Sequence, residues 1–255
     1  PPLAGLTLVA QGHSATVAGL IARLPAAGVI TMSLFLPALA RRLGAVPVFY
    51  GAAVLLVASL ALLVAASHSG SLWLWSIGSF GVGLGASMRW VLSDGFVNHI
   101  AVTGERGRLL AFHETIRSCA LGFGPLIAAL TAASPAHGFV AGIVMTLVGA
   151  SLTLGRHLPD VPAGRAHLSD LLAGVRLAPA AFAVAFMGGV LEGFAAASVP
   201  VYAVTVGVSA AMGALLAAVL GAPLVLAMAW FIRSTGAWWW LWAWAAWVAF
   251  SLALV

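Results

Sequence analysis

Long apolar runs separated by short polar interruptions make up almost the whole chain. A bilayer core about 30 Å thick takes roughly 20 apolar residues to cross as α-helix. Runs of that order lie near 14–39, 46–66, 72–93, 108–133, 138–156, 178–203, 208–232 and 236–255, with a shorter one over 1–10. They lack the period-two alternation of a barrel strand and are about twice its length, so helix is the state that satisfies their backbone in lipid. The expected fold is all-α: a polytopic membrane protein built as a helical bundle.

The interruptions come in two kinds that alternate along the chain. Residues 11–14, 66–71, 133–138 and 205–209 contain no Arg or Lys. The opposite ends carry Arg41 and Arg42, then Arg89, Arg106 and Arg108, then Arg156, Arg165 and Arg176, and then Arg233. These are nine of the eleven arginines, and the positive-inside bias assigns that end to the cytoplasm. The expected location is therefore a cytoplasmic membrane, the inner membrane in a bacterium. Residues 158–177 hold the longest polar stretch and read as a cytoplasmic linker between a first transmembrane half (1–157) and the start of a second (178–255).

Composition narrows the function classes. The chain is 63% hydrophobic and 7% charged, against about 25% charged in an ordinary soluble domain. Its formal charge of +5 does not indicate nucleic acid, because the arginines lie between apolar runs and form no clustered basic face. The single cysteine, Cys119, leaves no intramolecular disulfide framework and no cysteine zinc site. No phosphate-cradling Walker sequence is present, so ATP is not expected to drive the chain. No cofactor is expected. The opening PPLAGLTLVA lacks Met and a basic n-region, and reads as a cut first span.

A weak internal repeat agrees with the two-part division. GHSATVAGLIARL at 12–24 aligns with GVSAAMGALLAAV at 207–219, and PALARRLG at 37–44 with AWFIRSTG at 229–236. Arg41 then matches Arg233, and Gly44 matches Gly236. Parallel repeats of this kind relate the two halves of one class of transporter. With DGFVN at 94–98, RGRLLAFHE and GFGP in the fifth run, and GGVLEGFAAASVPVYAVTVGVS at 188–209, the chain resembles the major facilitator superfamily. It is similar in particular to the YcaD-like permease branch.

That resemblance implies secondary active transport of a small solute by alternating access, with proton coupling and efflux left open. It implies twelve spans, so the chain is expected to be a fragment lacking most of the first and the last three. It also implies an inner gate drawn from Arg41, Arg42, Gly44, Asp94, Arg106 and Arg233, with Asp94 pairing to Arg41, Arg42 or Arg106 or standing as a solvated loop charge. Several positions depart from the family pattern. Pro37 and Arg41 replace the Gly and Asp of the loop after the second span, no Arg precedes the glycines of the fourth, and Ala128 and Ala129 replace two glycines in the fifth.

Charges deep in the runs are the candidate pathway. An Arg, Asp or Glu at the bilayer centre costs about 2.5–3.5 kcal/mol on insertion scales, and such groups face a bundle interior or a wet cavity. The candidates are Arg23, Glu114, Arg117 and Glu192. Each has a plainer reading: Arg23 as a snorkelling or helix-pairing group, Glu114 and Arg117 as an i,i+3 pair, Glu192 as a protonated carboxyl bonded to a neighbouring helix. HETIR at 113–117 begins like a zinc-peptidase helix, but Arg117 stands where the second His ligand is needed and cannot bind a metal. No metal site and no enzyme activity are expected. The competing functions are a non-transporting sensor or assembly subunit on a transporter fold and, more distantly, a membrane-embedded hydrolase. The expected partners are a small-molecule substrate, with or without a proton, and membrane lipid. Nucleic acid is not among them, and the monomer is the favoured state.

Overall fold

The structure, a computed structural model, describes residues 2–101, 106–131, 133–159, 161 and 168–216. Within them every regular element is an α-helix. The order is α1 (Pro2–Ala10), α2 (Ala15–Leu43), α3 (Ala45–Ser69), α4 (Leu72–Ile100), α5 (Arg106–Leu130), α6 (Pro135–Ser151), α7 (Leu168–Leu177) and α8 (Pro179–Thr205). Helix begins again at 210–216, where the Ser209 hydroxyl accepts the Met212 N–H at 3.3 Å. The spans expected at 208–232, beyond its first turns, and at 236–255 lie outside the described residues, as does Arg233.

α2 and α3 are each long and apolar enough to cross a bilayer. Their outward faces carry Leu20, Ile30, Leu34, Phe35 and Val54, all exposed. An apolar exterior of this kind is suited to lipid or to another helix, and unsuited to water.

Two helices run further than the apolar pattern predicts. α2 continues through PALARRL to Leu43, and α4 continues through DGFVN to Ile100. Polar residues there mark where a helix leaves the apolar layer, and its backbone hydrogen bonds need not stop at that point. Arg41 and Arg42 in the last turn of α2 complement the negative end of the helix dipole. A single residue, Gly44, then joins α2 to α3. Its φ of +86° is open to glycine and strained for any side chain, and its N–H closes α2 on the Ala40 carbonyl at 2.9 Å. Residues 158–177, expected to be linker throughout, contain α7, whose Leu168, Leu171, Leu172 and Val175 recur at helical spacing.

α4 lies between α2 and α3, and glycines set both approaches. On the α3 side a Cβ at Gly78 would lie 2.8 Å from Leu63, one at Gly85 2.7 Å from Leu56, and one at Gly81 would strike the Ser59 hydroxyl. On the α2 side, Cβ atoms at Gly83 and Gly28 would strike the carbonyl oxygens of Pro25 and Phe80 respectively. Backbones this close gain dispersion along the whole crossing, which drives helix association where no water is left to expel. Two apolar clusters fill the bundle. One, at the end without arginines, gathers Leu8, Ala18, Ile21, Leu63, Trp75 and Phe139. The other, at the basic end, gathers Leu36, Val48, Phe49, Met88, Leu92 and Phe96.

Candidate functional site

At the basic end, the α2–α3 junction and the last turns of α4 converge. Phe49, from the second turn of α3, packs edge-on against Phe96 of α4 with ring centroids 5.5 Å apart. The Arg89 guanidinium lies 5.1 Å from the centroid of the Phe49 ring, a cation–π contact that holds a charge against an apolar cluster. The Tyr50 hydroxyl donates to the Thr153 carbonyl at 2.7 Å, tying the start of α3 to the turn after α6. Leu158 and Val161, from the stretch expected to be linker, pack onto the same cluster and cover it.

Asp94 and His113 meet next to this cluster. Nδ1 of His113 on α5 lies 3.3 Å from Oδ1 of Asp94 on α4. The approach is close enough for an ion pair but not aligned as a hydrogen bond, and Nδ1 is buried without another partner. One turn on, the Asn98 amide donates to the Asp94 main-chain carbonyl at 2.8 Å. Asp94 and Arg41 each make at least one further interaction. The sequence offered Asp94 either an arginine partner or a solvated position and did not pair it with His113; the structure puts His113 beside it. The spacing of a zinc motif drew attention along α5, whereas the neighbour that matters lies across on α4.

The opposite end is closed differently. The Gln11 amide, just past α1, donates to the Ser67 carbonyl at 2.9 Å near the end of α3. Its oxygen accepts the Trp75 indole N–H at 3.1 Å from the start of α4. Trp75 is fully buried and packs edge-on against Phe139 of α6, with centroids 5.8 Å apart. One amide thus ties three helix ends together. No sequence pattern singled out Gln11. A cavity of about 50 Å³ nearby, lined by Leu3, Leu6, Thr7, Ala10, Pro135 and Ala210, is large enough for water and far too small for a solute.

The charges expected deep in the apolar runs are spread over three helices. Arg23 is exposed on the α2 stripe that also carries Leu20, Ile30 and Leu34, two residues before Pro25. Glu114 and Arg117 stand one turn apart on α5, Arg106 begins that helix, and Glu192 is in the middle of α8. The side chains of these four lie outside the described residues. Arg41 and Arg42 are exposed at the end of α2, and Gly44 forms the junction described above.

A family model with the description Major Facilitator Superfamily matches residues 2–255. No curated protein and no solved structure matches the chain.

Proposed function

Because the chain belongs to the major facilitator superfamily, and so to integral membrane proteins that move solutes, we propose that it carries a small solute by alternating access, with a proton as the coupling ion and export as the direction. The observation that supports this reading is a pair of polar ties at opposite ends of the first half. Gln11, Trp75 and the Ser67 carbonyl make one, and Asp94 with His113 makes the other. Both join helices within residues 1–157, so they hold that half together as one body, as rocking of one half against the other requires.

In this mechanism two transmembrane halves, divided at residues 158–177, rock about a site supplied by Arg23, Glu114, Arg117 and Glu192. The Arg117 guanidinium is neutralised by Glu114 at rest and offers a bidentate contact to an anionic group on the cargo. Glu192 takes up and releases a proton as its surroundings change from water to protein. Arg41, Arg42, Asp94, Arg106 and Arg233 close the cytoplasmic side, and the chain works as a monomer in a cytoplasmic membrane.

Flux in proteoliposomes under an imposed pH gradient tests this. Arg117→Ala, inserted normally, should lose about 10- to 100-fold in flux of an anionic cargo, the value of a lost hydrogen bond to a charged group. Retained flux would remove Arg117 from the site. The competing reading, a sensor without transport, rests on Arg41 standing where the superfamily pattern has Asp; absence of flux across a broad cargo panel would favour it.

A further inference from the structure

Asp94 and His113 combine features that a static structural contact does not need. Nδ1 is buried and faces the carboxylate at 3.3 Å. With Asp94 ionised, a bare lone pair there would oppose a carboxylate oxygen, acceptor against acceptor, so the contact is then attractive only when Nδ1 carries hydrogen. If Nε2 is protonated as well, the contact becomes imidazolium against carboxylate. Imidazole is the side chain whose charge ordinarily changes between about pH 5 and 8. The two side chains are 25% and 35% exposed, so the pair is not sealed inside the bundle. α5 shares much less of its surface with α4 than α3 does, and a single pair therefore weighs more in holding α5 in place.

The charged and titratable groups on the packed elements are few. α4 carries Arg89 and His99, α5 carries Arg106, Arg108, Glu114 and Arg117, α2 ends in Arg41 and Arg42, α3 carries Tyr50 and His68, α6 carries His137, and the stretch after α6 carries Arg156 and His157. The arginines keep their charge throughout. His99 is exposed in the last turn of α4 and serves as a control.

We propose that Asp94 and His113 form a proton-binding site that clamps α5 to α4 at the basic end when protonated and loosens when the proton returns to water. The proton passes between Nε2 and water, and no other bond is made or broken. What the clamp gates rests on the transporter reading; the clamp itself does not.

Hydrogen–deuterium exchange of the whole chain in lipid nanodiscs, near pH 5.5 and near pH 8 and corrected for intrinsic rates, tests it. Amides from residue 94 to the end of α4, and in α5 from residue 110 onward, should exchange roughly fivefold more slowly at the acid pH. His113→Gln and Asp94→Asn should abolish that difference, His113→Lys should give slow exchange at both pH values, and His99→Gln should behave as wild type. The proposal is overturned if wild-type protection does not vary with pH, if His113→Gln keeps the variation, or if His113→Lys still varies. Flux on the same preparations is read separately: no transport with intact pH-dependent protection keeps the proton site and removes the transport reading.

Discussion

Replacing Gly83 with alanine puts a methyl group where α4 crosses α2. The new carbon would strike the Pro25 carbonyl oxygen and lie 2.7 Å from both the Pro25 Cα and its carbonyl carbon. Carbon atoms rest about 3.5 Å apart or more, so the helices must separate by at least about 0.8 Å at this point, and by more to clear the carbonyl oxygen. A gap of that size forfeits about a quarter to a half of the dispersion of every contact near the crossing, and overpacking of this kind destabilises by about 1–3 kcal/mol. Alanine returns about 0.5–1 kcal/mol through its better helix propensity, which leaves a net loss of about 1–2 kcal/mol. Gly51→Ala is the matched control, since Gly51 is also mid-helix and a Cβ there meets nothing within 4 Å. Thermal unfolding of the two variants in the same detergent should put Gly83→Ala below wild type and Gly51→Ala at or above it. Equal midpoints for the two variants would refute a backbone-to-backbone crossing at Pro25.

Trp75→Phe removes the indole N–H from Gln11 and leaves space in a fully buried site, and should lower stability by about 2 kcal/mol in the same assay. An unchanged midpoint would show that the Gln11 closure contributes nothing to the fold. Glu192→Gln cannot bind a proton, so a variant that still transports should do so with flux independent of pH; a wild-type pH profile would remove Glu192 from coupling.

Much of the helix plan can be read from the apolar runs, because the length needed to cross a bilayer is a strong physical constraint. α1 through α6 and α8 fall on the expected runs. The helix ends are less legible. Pro37–Leu43 and Asp94–Asn98 look like loop in composition, yet the helices carry them beyond the apolar layer. α7 was hidden because its ten residues are too few to stand out within a polar, proline-containing stretch. The candidate site could be read only as a list of charged residues, without their partners. His113 meets Asp94 on another helix, and Gln11 meets Ser67 and Trp75 on two others. Such pairings follow from how helices are arranged side by side, which spacing along one helix does not encode. For the same reason α4 shows a row of glycines in sequence, and only the structure divides them between α3 and α2.

The Pro25–Gly83 crossing divides α2 unequally. About ten residues separate Pro25 from the start of α2 and about eighteen from its end, or roughly 15 and 27 Å at helical rise. α2 is therefore a lever with its fulcrum off centre. A tilt of about 10° would shift the short arm by roughly 2.6 Å and the long arm by roughly 4.8 Å. Because α3 starts one residue beyond the long arm, at Ala45, that larger displacement is delivered straight to the neighbouring helix. Were α2 to tilt as one body, with no bending at Pro37 in its long arm, a small movement at the end without arginines would reach the basic end amplified nearly twofold.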